Sequence, residues 1–95
     1  MRNLIFRTHA IQQMFVRSIS VEAVRDVVDK GEIIHNYLDD TPYPSRLILG
    51  WYNKRPLHVV AADHPTKNET IVITAYEPDP VQWRADFKEK KESSE

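Results

Sequence analysis

Apolar positions in the first third of the chain recur at a helical period. Ile11, Met14 and Phe15 form a stripe, with His9, Gln13 and Arg17 as a polar stripe beside it. The spacing predicts a helix from Thr8, a good N-cap residue, to about Arg17. Ser18-Ile19 is a short connection. Ser20 then caps a second helix that buries Val21, Val24, Val27 and Val28. Lys30 closes its last turn, and Gly31 is placed as the left-handed residue that ends it.

From Glu32 the period falls to two. Strands are expected over Glu32 to Tyr37, Ser45 to Tyr52, Pro56 to Ala62 and Thr70 to Tyr76, separated by Pro-, Asp- and Asn-rich turns. Glu77-Pro78-Asp79-Pro80 breaks the sheet, and Val81 to Phe87 reads as a short helix with Trp83 and Phe87 turned inward. The expected fold is α+β: two N-terminal helices packed on one face of a four-stranded, mainly antiparallel sheet, with a short C-terminal helix. Residues 1–87 form the single domain and 88–95 a charged, frayed tail.

Registering the strands assigns their faces. Leu47, Leu49, Trp51, Leu57, Val59, Ala61, Ile71, Ile73 and Ala75 make the apolar set expected under the helices. The opposite set holds Arg46, Gly50, Tyr52, His58, Thr74 and Tyr76. A hairpin centred on Lys54 would set His58 opposite Gly50, and a connection centred near Thr66 would set it opposite Thr74. That row would be a hollow with a titratable group at its bottom.

Composition narrows the partners. The 95 residues hold no cysteine, so disulfides and Cys-based metal sites are excluded and a reducing compartment fits. No signal peptide and no apolar run near the ~20 residues of a membrane span are visible, and a cytoplasmic protein is expected. The formal net charge of −1 is unlike the basic balance of most nucleic-acid binders, although Arg46, Lys54 and Arg55 gather around one hairpin.

Few side chains offer chemistry. His58 can be a hydrogen-bonded structural histidine or an acid–base group in the hollow. Arg46 is either a surface charge or a bidentate phosphate clamp. Tyr76 and Tyr52 can pack or stack on unpaired bases, and His9 is a second titratable group if the first helix borders the hollow. With only Gly31 and Gly50 there is no Gly-rich phosphate loop. Metal-ligand spacing and a nucleophile elbow are also missing, so no cofactor and no metal are expected.

One combination of residues is specific. His9-Ala10, Gln13-Met14, Arg17 and Ile19-Ser20 are followed by Gly31-Glu32-Ile33-Ile34, Asp39-Asp40, Pro42-Tyr43-Pro44-Ser45 and Leu49-Gly50. Arg55-Pro56-Leu57-His58-Val59-Val60, Thr74-Ala75-Tyr76-Glu77-Pro78-Asp79 and Trp83 complete the pattern. Together they resemble the bacterial domain-of-unknown-function family 4258 over nearly all the chain before the tail. Ser18 stands where that family usually has glycine.

The resemblance implies a fold related to the RelE and BrnT toxins and to metal-independent ribonucleases. It also implies pairing with a small zinc-finger antitoxin of the YgiT or MqsA type. The functional expectation is therefore the toxin side of a toxin–antitoxin pair, cleaving RNA, free or on the ribosome, by attack of the 2′-hydroxyl. In that role His58 is acid or base, Arg46 the clamp, and Tyr76 and His9 assist. The alternative is a non-catalytic protein-binding module or inactive relative that receives an antitoxin-like partner. Either reading is compatible with a homo-oligomer.

Overall fold

The computed structural model describes residues 2–91. The chain runs β1 (Asn3–Phe6), α1 (Thr8–Arg17), α2 (Val21–Lys30), β2 (Glu32–Tyr37), β3 (Ser45–Tyr52), β4 (Arg55–Asp63) and β5 (Glu69–Tyr76). The strands form one five-stranded sheet in the order β1-β5-β4-β3-β2, with β1 parallel to β5 and the other pairs antiparallel. This corrects the expected four-stranded sheet. The short Asn3–Phe6 strand carries too little pattern to be read alone, and its partner lies at the far end of the chain.

Among the described residues no helix follows β5. Residues 77–91 instead make stacked turns. Asp79 and Asp86 each accept a backbone N–H two residues on, from Val81 at 2.9 Å and Lys88 at 3.0 Å. Asp79 caps a single turn, its carbonyl accepting from the Gln82 and Trp83 N–H groups at 2.9 and 3.0 Å, but the Arg84 N–H turns to the Glu89 carbonyl and Phe87 takes a positive φ (60°), so the expected Val81–Phe87 helix does not continue. Of the expected tail, Lys88 pairs with Glu32 at 3.0 Å and the Lys91 N–H bonds the Gln82 carbonyl at 2.8 Å. Residues 92–95 lie outside the described residues.

Both helices lie on one face of the sheet. Ala10 and Met14 of α1 and Ala23, Val24 and Val27 of α2 pack with Ile48, Leu57, Val59, Ala61, Val72 and Ala75. Ser20 caps α2, its hydroxyl accepting the Ala23 N–H at 3.0 Å. Thr8, by contrast, is already helical; Arg7 holds the N-cap position without a side-chain bond. At the other end of α1, Ser18 is left-handed (φ 56°), a conformation that favours glycine. Gly31 is extended (φ −73°) and not left-handed; it is needed for space, since a β-carbon would sit 2.5 Å from the Val27 carbonyl oxygen.

The strand faces differ from expectation because of one residue of register. Asn53 and Lys54, both at positive φ, form a two-residue turn that pairs Tyr52 with Arg55. Leu49 then lies opposite His58 and Gly50 opposite Leu57. A one-residue slip exchanges the two faces. Hence Ile48 and Gly50 face the helices, whereas Leu47 and Leu49, though buried, line the other face beside His58 and Val60. A bulge at Val60/Ala61 shifts β5 as well, so that Val72 and Ala75, not Ile71 and Ile73, join the helix-side core.

Candidate functional site

The face away from the helices is closed by residues 77–91, and His58 lies beneath them with no exposed surface. The ring packs edge-on to Trp83 (centroids 4.4 Å apart) and to Tyr76 (5.2 Å). Its Nε2 is 2.8 Å from the Phe87 carbonyl oxygen. A carbonyl can only accept, so Nε2 carries the hydrogen and, in the neutral ring, Nδ1 is a bare acceptor. The Tyr76 hydroxyl, 3.2 Å away, therefore donates to Nδ1.

The same burial sets both protonation states. Desolvation holds His58 below the ordinary imidazole value, with the nearby His35 pushing the same way and the Phe87 carbonyl opposing. Burial, with a smaller effect of Tyr37, pushes the Tyr76 phenol upward. The pair is neutral at pH 7, and the oxygen of Tyr76 keeps its lone pairs for a third group.

A cleft of about 580 Å³ supplies the space for one. It is lined by His35, Tyr37, Leu47, Tyr76, Trp83, Arg84, Glu89 and Lys90. Strand alternation places His35 and Tyr37 of β2 on this face, opposite Leu47 and Ser45. The turns of residues 77–91 bring the cations: Trp83 bridges to Lys90, whose ammonium lies 5.8 Å from the indole centroid. Arg84 is 3.7 Å from Glu89, an exposed and weak pairing.

Of the four residues singled out from sequence, the fold brings together His58 and Tyr76. Their neighbours are not Gly50 and Thr74, which pair with Leu57 and Val60. Arg46 lies opposite Ala61 on the helix side, at the sheet's end, bonded to Asp63 at 3.3 Å. Burial raises the Asp63 carboxyl, but the Thr70 hydroxyl, Arg46 and Arg2 outweigh it and hold the group below its usual value. His9 is exposed on α1 in the helix layer, across the sheet from His58. The helix α1 therefore does not border the site. Among the described residues no group of three His, Asp or Glu side chains is arranged to hold a metal.

His35, Arg84 and Lys90 were not anticipated. The alternation of His35 and Tyr37 within β2 was a usable signal once the strand faces were correctly assigned. Nothing periodic announces Arg84 or Lys90, which arrive through irregular turns.

These features define a small α+β protein with a mixed five-stranded sheet, two helices on one face and, on the other, a sealed His58 bonded to a tyrosine at the wall of a cleft. The chain matches the family described as "Domain of unknown function (DUF4258)" over residues 6–77 and belongs to that family. No curated protein and no solved structure matches the chain significantly. Among the described residues no helix is long and apolar enough to cross a membrane.

Proposed function

We propose that the cleft beside Tyr76 is an RNA site, and that the chain is the cytoplasmic, toxin-side ribonuclease of a toxin–antitoxin pair. One observation carries the chemistry. The Tyr76 hydroxyl is bonded to a sealed, neutral His58 at the wall of a cleft that also holds His35, Arg84 and Lys90. The half-exposed ring of Tyr37 offers a surface for an unpaired base. The toxin role and the zinc-finger antitoxin of the YgiT or MqsA type rest on the resemblance of the sequence to its family.

In this mechanism the 2′-hydroxyl gives its proton to the Tyr76 oxygen while the Tyr76 proton passes to Nδ1 of His58. The 2′-oxygen attacks phosphorus, the bond from phosphorus to the 5′-oxygen breaks, and the leaving oxygen takes a proton from His35. Arg84 and Lys90 stabilise the charge that gathers on the phosphorane. The products are a 2′,3′-cyclic phosphate and a 5′-hydroxyl.

Purified protein should cleave single-stranded RNA in EDTA and leave those ends, while DNA survives. Tyr76→Phe and His35→Ala should each slow cleavage by ~10²–10⁴-fold, the usual cost of losing a general acid or base. A requirement for a divalent ion, or full activity in both variants, rejects this mechanism.

A second reading is favoured by the completeness of the His58 bonding: both ring nitrogens are engaged and the ring is sealed, as in a structural histidine. On that reading the chain is a non-catalytic module. No cleavage of any RNA, free or on translating ribosomes, together with harmless overexpression, decides for it.

A further inference from the structure

The α1 helix covers the sheet with little of its surface. Only Ala10 and Met14 are buried, whereas Ile11, Phe15 and Val16 are 53%, 86% and 76% exposed. At about 100° per residue, Ile11, Phe15, Thr8, Gln12 and Val16 follow one another round an arc of roughly 140° that holds no charge. The next positions round the wheel are His9, Gln13 and Arg17.

The charges that the helix and the residue before it carry are of one sign, although Glu77 pairs with Arg55 beyond the C-terminus. The helix has no acidic residue, Arg7 precedes it and Arg17 ends it. Among the described residues Arg17 has no carboxylate partner, its Nε bonding Gln13 at 3.1 Å. At the C-terminus Arg55 donates to the carbonyls of Arg17 and Ser18, at 2.6 and 3.0 Å, so the negative end of the helix is already covered by a cation. A second copy of this chain is a poor occupant, because α1 has no carboxylate to offer the other copy's Arg17.

We infer that the exposed arc of α1 is a docking face for an amphipathic segment of another protein, whose apolar side chains cover Ile11, Phe15 and Val16 and whose flanking carboxylates meet Arg17 and Arg7. Apolar contact supplies the affinity and the charge rim the selection. The face lies in the helix layer, across the sheet from the cleft, so a partner held there leaves the cleft open. This inference does not depend on what the cleft does.

The test uses the full chain and a designed 18-residue helical peptide with leucines on one face and glutamates flanking them. A matched peptide carries lysine at every glutamate position. The glutamate peptide should bind with a Kd of ~10–100 μM and shift the backbone amide resonances of α1. The lysine peptide should bind at least about tenfold more weakly. Phe15→Glu, a change at an exposed position that circular dichroism should find folded, should weaken the glutamate peptide by about tenfold or more. Equal binding of both peptides, binding of neither, or shifts confined to residues outside α1 overturns the inference. A wild-type dimer in sedimentation that Phe15→Glu dissociates also overturns it, giving the face to a second copy.

Discussion

The two faces of one sheet are closed in opposite ways. On the helix side, regular elements bring Val24, Val27, Leu57, Val59 and Val72 together in a core with almost no polar atom. On the other side, irregular turns cover the sheet, and closure depends on hydrogen bonds to His58 as much as on Trp83 and Leu49. The first arrangement serves stability alone. A buried imidazole in the second lowers stability in acid but puts a polarised tyrosine hydroxyl at an open cleft. The titratable side chains His35, His58 and Tyr76 collect on the face that irregular turns, not helices, cover.

The difference can be measured by substitution. Leu57→Ala removes a fully buried side chain from the helix side and should cost ~2–5 kcal/mol in urea unfolding. Tyr76→Phe on the other face should cost no more than about 1.5 kcal/mol, the net worth of one hydrogen bond. If the two losses are equal, the faces do not differ as described.

Gly50→Val sharpens the boundary between the faces. A β-carbon at Gly50 would lie 2.7 Å from Cγ2 of Val27, inside the helix-side core. The substitution therefore overpacks α2 and does not reach the face that holds His58. It should destabilise by ~1–3 kcal/mol, and Val27→Ala should recover part of that loss in the double variant. An additive double variant would deny the contact.

The smallest effect is in pH. His58 is held below its unfolded value, near ~6.5, so the unfolded chain binds more protons between the two values. Its contribution is complete above pH ~6.5 and is lost as pH falls toward the folded value. Unfolding free energy measured from pH 7 down to 5 should fall in the wild type and fall less steeply in His58→Gln. Parallel curves would mean that His58 is not desolvated.

Much of the fold was legible because its signals are local. The Ile11/Met14 and Val24/Val27 spacings marked both helices, Ser20 marked the start of the second, and alternation marked β2 to β5. What escaped was set by longer-range geometry. The parallel partner of Asn3–Phe6 lies some 66 residues away (3 to 69), and no local pattern encodes that pairing. One residue in the Asn53-Lys54 turn decided whether Gly50 or Leu49 stood opposite His58. The sequence pointed to His58 and Tyr76 as polar residues in a sheet; that His58 is sealed against the Phe87 carbonyl while Tyr76 reaches the cleft depends on turns held by Asp79 and Asp86.

The central claim is that the face opposite the helices is the one that meets RNA. Its most direct test is titration of ¹⁵N-labelled protein with a short single-stranded RNA carrying 2′-O-methyl groups, which binds but cannot be cleaved. Shifts should centre on the amides of His35, Tyr37, Tyr76, Arg84 and Lys90 and on the Trp83 indole N–H, leaving α1 and α2 unmoved. Shifts on the helices, or none at millimolar RNA, would contradict the account.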